Sequence, residues 1–171
     1  MVHDDLGRQL LAAWPSFAAF GVSFATIGII WVNHHAVFDQ LRAVDRWLLF
    51  LNLLLLATVV FIPFVTALVS AAFEARHGQS LATAIYGATM AAMGVSFNLI
   101  WLYLQRHRSL LEEPLRTRGA AGVMLRAGVG TVVYLATIVI AFINAYLCLA
   151  LYAALALFYV FDIGGVTTGR A

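Results

Sequence analysis

Four long stretches of this chain carry no charged side chain, and short polar segments separate them. The first three run over residues 9–33, 47–73 and 78–105. Each exceeds the roughly 20 residues that an α-helix needs to cross about 30 Å of hydrocarbon. Because lipid cannot satisfy the polar groups of an open strand edge, these stretches predict membrane-spanning helices.

The fourth stretch, residues 127–161, has 35 residues without a charge. As one helix it would measure about 52 Å at 1.5 Å per residue, which is too long for one span at ordinary tilt. Two short helices that turn near Asn144 fit better. The sequence therefore predicts an all-α, polytopic integral membrane helical bundle that forms a single domain, residues 1–171. Its five predicted spans cover about residues 11–32, 47–73, 81–104, 127–143 and 146–161.

Composition supports this class and excludes others. Apolar residues make up 63% of the chain and charged residues 11%, whereas a soluble domain has about 45–50% and about 25%. A water-soluble enzyme and a disordered chain are both excluded by these values. The basic residues are too few and too scattered for nucleic-acid binding. The chain has no Gly-x-Ser-x-Gly, P-loop or Cys-x-x-Cys motif, so we expect neither enzymatic activity nor a cofactor.

The arginines predict the topology. With five spans, one side of the membrane carries Arg8 and Arg76. The other side carries Arg42, Arg46, Arg106, Arg108, Arg116, Arg118, Arg126 and Arg170. By the positive-inside rule this second side, which includes the C-terminus, is the cytoplasmic side of the cell membrane. Aromatic residues at the cytoplasmic ends of the spans predict an interfacial belt of Trp31, Trp47, Trp101, Tyr103 and Tyr159.

Small residues recur on two spans at helical spacing. Gly21 and Gly28 lie on one face of the first span, and Gly87, Gly94 and Asn98 on one face of the third. Small side chains let helix backbones approach, and an amide bonds across such a contact. We expect these residues to pack helices together. The alternative is that one stripe faces water or ions.

Polar residues gather at the end of the first span. Trp31, Asn33, His34 and His35 lie there, and Asn52 on the second span is a candidate partner. An imidazole pair also suits metal binding or proton transfer. Adjacent helical residues point about 100° apart, however, and no cysteine or carboxylate cluster completes a site. We therefore interpret these residues as a structural polar cluster at the interface.

The same residues carry a family resemblance. The run 23–35 contains Ile-Gly-x-x-Trp-x-Asn-His-His, and the runs Asn-Leu-Leu-Leu-Leu at 52–56 and Phe-Ile-Pro-Phe-Val-Thr at 61–66 follow it. Together they resemble the transmembrane protein 175 family, which comprises lysosomal potassium channels of animals and shorter bacterial relatives. The resemblance covers nearly the whole chain and is strongest over residues 14–70.

The resemblance implies a six-helix subunit with both ends cytoplasmic, assembled as a homotetramer around a central potassium pore in the lipid bilayer. It places the ion path at a constriction of bulky apolar side chains on the first helix, which also carries an Arg-x-x-x-Phe-Ser-Asp signature. The residues Trp31, Asn33 and His34 would buttress that signature.

This chain departs from the family in one respect. It contains no Phe-Ser-Asp, and its first span resembles the family's second helix. We therefore expect that the pore-lining helix is absent, through a misplaced start codon, a truncated gene or a natural variant. The sequence thus predicts a potassium channel subunit. The alternative is a non-conducting scaffold, modulatory subunit or remnant.

Overall fold

Five α-helices make up the protein over the residues described by the computed structural model, 14–112 and 121–162. They are α1 (Trp14–Phe38), α2 (Arg46–Glu74), α3 (Gln79–Arg106), α4 (Ala121–Ile143) and α5 (Ala145–Asp162). A 3-10 turn, Arg108–Leu110, follows α3. The predicted all-α class is confirmed.

The helices have the lengths of membrane spans. In α1, α2 and α3, the segments Phe20–Phe38, Arg46–Glu74 and Gln79–Arg106 are each long and apolar enough to cross a bilayer. The 23 residues of α4 and the 18 of α5 measure about 34 Å and about 27 Å at 1.5 Å per residue. Both values are close to the hydrocarbon thickness of about 30 Å. The protein is therefore a polytopic membrane bundle.

A single residue, Asn144, separates α4 from α5, where the sequence predicts the turn. Its backbone amide donates to the Ile140 carbonyl at 2.8 Å, which completes the last turn of α4. Its side-chain Oδ1 accepts from the Leu147 amide at 3.0 Å and so caps the start of α5. A capping oxygen of this kind satisfies an amide that has no partner within its own helix. The charge-free stretch is thus divided without a loop.

Two helix boundaries differ from the predicted spans by six residues. Helix α1 continues to Phe38 rather than ending near residue 32, so His34 and His35 lie inside it. Helix α4 begins at Ala121 rather than at 127 and includes Arg126. The predicted limits follow the first charged or polar residue, whereas a helix ends where its backbone bonds end. No glycine or proline lies between residue 32 and Phe38 to stop α1.

Helix α3 is the centre of the bundle and packs against α2, α4 and α5, while α1 packs on α2 and touches α5. One buried cluster joins the end of α1, α2 and α3 and includes Val37, Leu48 and Trp101. A second cluster joins α2, α3, α4 and α5 and includes Ile62, Ala91 and Tyr152. The core therefore fills the bundle along its length.

The described loops meet at two opposite ends. At one end, the segment after α1 bonds to the segment after α3, because the Arg42 amide donates to the Leu110 carbonyl at 2.9 Å. The Glu112 amide donates back to the Gln40 carbonyl at 3.0 Å. At the other end, Phe73 and Tyr146 pack edge to face at 5.1 Å. The pairing of loops that the arginines predict is thus present in the fold. Of the arginines used there, Arg8, Arg116, Arg118 and Arg170 lie outside the described residues.

Candidate functional site: the two faces of the first helix

Helix α1 has an inner face that mixes polar and apolar side chains and an outer face of exposed aromatic rings. Ser23 is 2% exposed on the inner face. Phe17, Phe20, Phe24 and Trp31 are 58–69% exposed, and their spacing of three, four and seven residues places them on one side of the helix. The aromatic rings of α1 thus point away from the bundle, while Ser23 and the apolar side chains of Ile27, Ile30 and Val37 face into it.

The inner face ends in a bond between helices. His34 Nε2 lies 2.7 Å from Asn52 Oδ1 on α2. An amide oxygen only accepts, so the imidazole donates this bond. The Phe38 ring stacks on the same imidazole, with ring centres 4.2 Å apart. The structure thus brings His34 and Asn52 together as the sequence pattern suggests, and it fixes α1 to α2 at this level.

The other members of the predicted polar cluster lie on separate surfaces. His35 stacks on Trp31, with centroids 5.1 Å apart and planes 8° apart. His35 Nε2 also lies 3.6 Å from Asp39 Oδ2. Asn33 turns back on its own helix, where Nδ2 donates to the Ile29 carbonyl at 3.0 Å. The five residues therefore form an inner pair and an outer stack rather than one cluster.

The predicted packing residues of the third span do meet another helix. Asn98 Nδ2 donates to Thr131 Oγ1 on α4 at 3.1 Å and to the Gly94 carbonyl at 2.8 Å. A Cβ added at Gly94 would overlap Thr131, and one added at Gly87 would overlap the Tyr152 hydroxyl. Gly94 thus allows the close approach of α3 to α4, and Gly87 leaves room for the Tyr152 hydroxyl of α5.

The predicted packing residues of the first span, Gly21 and Gly28, contact no other helix in the described part of the chain. A Cβ added at Gly21 or Gly28 would meet nothing within 4 Å in the described part of the chain. Both glycines lie beside the exposed aromatic rings, on the outer side of α1. Within the described residues they join no helices, which corrects the expectation for this bundle and leaves a smooth strip along the outer face.

Sequence reasoning missed a buried polar cluster between α3, α4 and α5. The Tyr152 hydroxyl donates to the Thr83 carbonyl at 2.9 Å, and Cys148 Sγ donates to the Thr137 carbonyl at 3.3 Å. The rings of Tyr86 and Tyr134 lie 4.9 Å and 5.8 Å from that of Tyr152. The signal was available, since these are polar side chains inside apolar runs. Spacing along one helix does not show that residues of three helices converge.

A second missed contact joins α2 to α3 at the end of the bundle where the segments after α1 and α3 meet. The Tyr103 hydroxyl donates to Asp45 Oδ2 at 2.5 Å, and the Leu48 amide donates to Asp45 Oδ1 at 2.8 Å. The tyrosine bond first, and then the amide bond, hold the pKa of Asp45 below its usual value. Asp45 therefore caps α2 and anchors it to α3.

Of the residues predicted to form the aromatic belt, two tryptophans are exposed and a third is buried. Trp47 is 69% exposed at the start of α2, and Trp31 is 61% exposed seven residues before the end of α1. Trp101 is 1% exposed and belongs to the core, so it does not face the membrane surface. Tyr103 is half-buried and bonds to Asp45. The side chain of Tyr159 lies outside the described set.

Comparison with known proteins adds three similarities. The sequence model of the family described as endosomal/lysosomal potassium channel TMEM175 matches residues 2–63. A potassium channel of Streptomyces collinus is 39% identical over 166 residues, which is 97% of this chain and 81% of that protein. A potassium channel of Chamaesiphon minutus is 31% identical over 154 residues, or 90% of this chain and 75% of that protein.

A solved structure shares the fold as well. The crystal structure of a lysosomal potassium-selective channel TMEM175 homolog from Chamaesiphon minutus superposes with a TM-score of 0.74 at 29% identity. The match covers 92% of this chain and 79% of that one. The sequence similarity and the arrangement of helices thus agree.

Proposed function

The chain belongs to the TMEM175 channel family, and from this premise we propose that it is a subunit of a potassium channel that conducts passively. The observation that carries the proposal is the 39% identity to the Streptomyces collinus potassium channel across 97% of this chain. The positions of the described acidic residues also support it, since Asp39, Asp45, Glu74 and Glu112 lie in loops or at helix ends. A proton-coupled transporter typically keeps an acidic side chain at mid-membrane.

In this proposal four subunits surround a central pore, and an apolar constriction gates the pore by dewetting. No filter residue is assigned to the five described helices. The outer face of α1 instead supplies the surface on which a pore-lining helix packs. Exposed Phe20, Phe24 and Trp31, together with the unfilled strip at Gly21 and Gly28, support this role. Glycines of this kind let a second helix approach closely, and the exposed rings beside them supply apolar contact area.

The bond between His34 and Asn52 holds the outer face in position against α2. The exposed stack of Trp31 and His35 gives that face a polar end, which suits a partner that carries hydrogen-bonding groups. The end with Arg42, Arg46, Arg106 and Arg108 is the cytoplasmic one under the positive-inside rule. Helix α5 runs back to that end from Asn144. In this proposal the protein lies in the cell membrane, and its C-terminus is on the cytoplasmic side.

The test is potassium flux into liposomes. The DNA upstream of the first codon is read in frame for a short apolar span with Phe-Ser-Asp. The product that includes such a span is reconstituted beside the 171-residue chain. We expect a potassium-dependent current and a tetramer from the longer product. A correctly assembled tetramer that carries no current would contradict conduction and favour a scaffold.

A matched pair of substitutions tests the role of the outer face. Gly28→Leu fills the strip on α1, and Ala57→Leu adds a similar side chain on an exposed position of α2. We expect Gly28→Leu to reduce both assembly and flux, while Ala57→Leu leaves them unchanged. Equal effects of the two substitutions would remove the outer face of α1 from the proposal.

A further inference from the structure

Four arginines lie together at one end of the bundle. Arg42 follows α1 and Arg46 begins α2, while Arg106 ends α3 and Arg108 lies in the 3-10 turn. The backbone bond from Arg42 to Leu110 ties these two segments together. The bond between Tyr103 and Asp45 ties the start of α2 to the end of α3. Two independent contacts therefore hold these four residues, here called the basic end, on one surface.

The side chains of the basic end are available to a ligand. All four arginines are exposed, and among the described residues none of them forms an ion pair. Three carboxylates lie nearby. Asp45 is occupied by Tyr103 and the Leu48 amide, and Asp39 lies beside His35. Glu112 is exposed on the strand-like segment after α3. Among the residues that the structure describes, the neighbouring acids therefore form no ion pair with these guanidinium groups.

Apolar side chains continue directly from the arginines. The guanidinium of Arg46 lies 5.6 Å from the centre of the Phe50 ring. Trp47 is 69% exposed, and Leu49 and Leu53, three and seven residues after Arg46 on α2, are 50% and 57% exposed. A ligand that fits this surface carries an anionic group next to a hydrocarbon chain. A small inorganic anion or a nucleic acid would leave the apolar part uncovered.

We propose that the basic end binds the phosphate groups of anionic phospholipids, with the acyl chains lying along the exposed face of α2. A guanidinium forms two parallel hydrogen bonds to a phosphate, which a lysine ammonium does not. All ten cations of this chain are arginine. An exposed indole and a ring beneath Arg46 are typical of residues at headgroup level. The inference does not depend on conduction.

The experiment measures the thermal unfolding of the full chain in detergent with added phosphatidylglycerol, phosphatidylcholine or inorganic phosphate. Phosphatidylglycerol raises the Tm of the unaltered protein, and the other two additions leave it unchanged. Replacement of all four arginines by glutamine weakens apparent phosphatidylglycerol affinity by about five-fold for each arginine that reaches a headgroup, which corresponds to about 1 kcal/mol. Replacement by lysine keeps part of the preference.

Arg76→Gln is the matched control, because Arg76 is exposed at the opposite end of the bundle. It leaves the phosphatidylglycerol effect intact. The paired variants Arg42→Gln with Arg46→Gln, and Arg106→Gln with Arg108→Gln, each lose part of the effect and keep the test valid should the four-fold variant not fold. An unchanged phosphatidylglycerol effect in both pairs, or an equal loss in Arg76→Gln, overturns the proposal. An equal Tm shift with inorganic phosphate or phosphatidylcholine also overturns it.

Discussion

The imidazole of His34 and the amide of Asn52 meet 2.7 Å apart between α1 and α2. Polar pairs between membrane helices contribute about 0.6 kcal/mol on average and up to about 1.7 kcal/mol. We expect His34→Phe and Asn52→Leu each to lower thermal stability in detergent, with a coupling in that range in a double-mutant cycle. A double-mutant cycle of exposed His35 with Asn52 should give no coupling energy. A coupling of zero for the first pair would contradict the bond.

The carboxyl of Asp45 predicts a dependence of stability on pH. Its pKa lies below the usual 3.8 because Tyr103 and the Leu48 amide donate to it. A carboxyl that is more acidic in the folded state stabilises that state above the unfolded pKa. This contribution is lost as the pH falls from 3.8 toward the folded pKa.

We therefore expect Asp45→Asn to be less stable than the unaltered protein at neutral pH, since asparagine keeps the cap but loses the charge. The difference between the two unfolding temperatures should narrow once the pH falls below about 3.8. When both proteins also carry Tyr103→Phe, the difference between their unfolding temperatures should change less with pH. A difference that stays constant down to pH 3 would show that the charge of Asp45 does not stabilise the fold.

Single residues could be predicted from the sequence where chemistry restricts their choice of partner. An amide and an imidazole in neighbouring apolar spans need each other, and His34 does meet Asn52. Trp101 shows the limit. An indole near a helix end suits the membrane surface, but the position of α3 between three other helices buries it. Which face of a span is central depends on the whole bundle, and no single span contains that information.

At the scale of elements, the close contact between α3 and α4 at Gly94 can be tested by substitution. A Cβ on Gly94 would overlap Thr131 Oγ1 and lie 3.3 Å from Thr131 Cβ, so the Thr131 side chain must rotate or α4 must shift slightly to accept it. We expect Gly94→Ala to destabilise the protein by about 1–3 kcal/mol in thermal or denaturant unfolding.

Gly128→Ala on α4 is the control, because nothing lies within 4 Å of the added Cβ. It should be neutral or should stabilise by up to about 1 kcal/mol, since alanine favours a helix more than glycine does. Equal losses in the two variants would show that the contact between α3 and α4 does not need a glycine at residue 94.

The elements themselves could largely be predicted from the sequence, because the length of a charge-free run determines whether it crosses a bilayer. The same rule divides the last run at Asn144. It does not find the ends of α1 and α4, since backbone bonds continue past the first polar side chain. Nor does it find the convergence of Thr83, Thr137 and Tyr152, which depends on how three helices rotate against one another.

At the scale of the whole molecule, the two ends predict opposite sides of the membrane. Ser109 is exposed at the basic end and His77 is exposed at the other end. In Ser109→Cys and His77→Cys variants, a membrane-impermeant thiol reagent should label residue 77 in intact cells. Residue 109 should be labelled only after permeabilisation.

The native cysteine does not disturb this measurement, because Cys148 is buried between α4 and α5. The unaltered protein is therefore a suitable blank. Labelling of residue 109 in intact cells, with residue 77 protected, would invert the orientation. Labelling of both in intact cells would show that the two ends do not lie on opposite sides.

The one-residue connection at Asn144 has a consequence for biosynthesis. A translocon that receives α4 and α5 meets no charge between residues 127 and 161 that could retain one helix on a given side. Asn144, whose side chain caps α5, is the residue at which α4 ends and α5 begins. We therefore expect the two helices to enter the lipid together, as a helical hairpin. Loss of the Asn144 cap should then favour insertion of this stretch as one long helix.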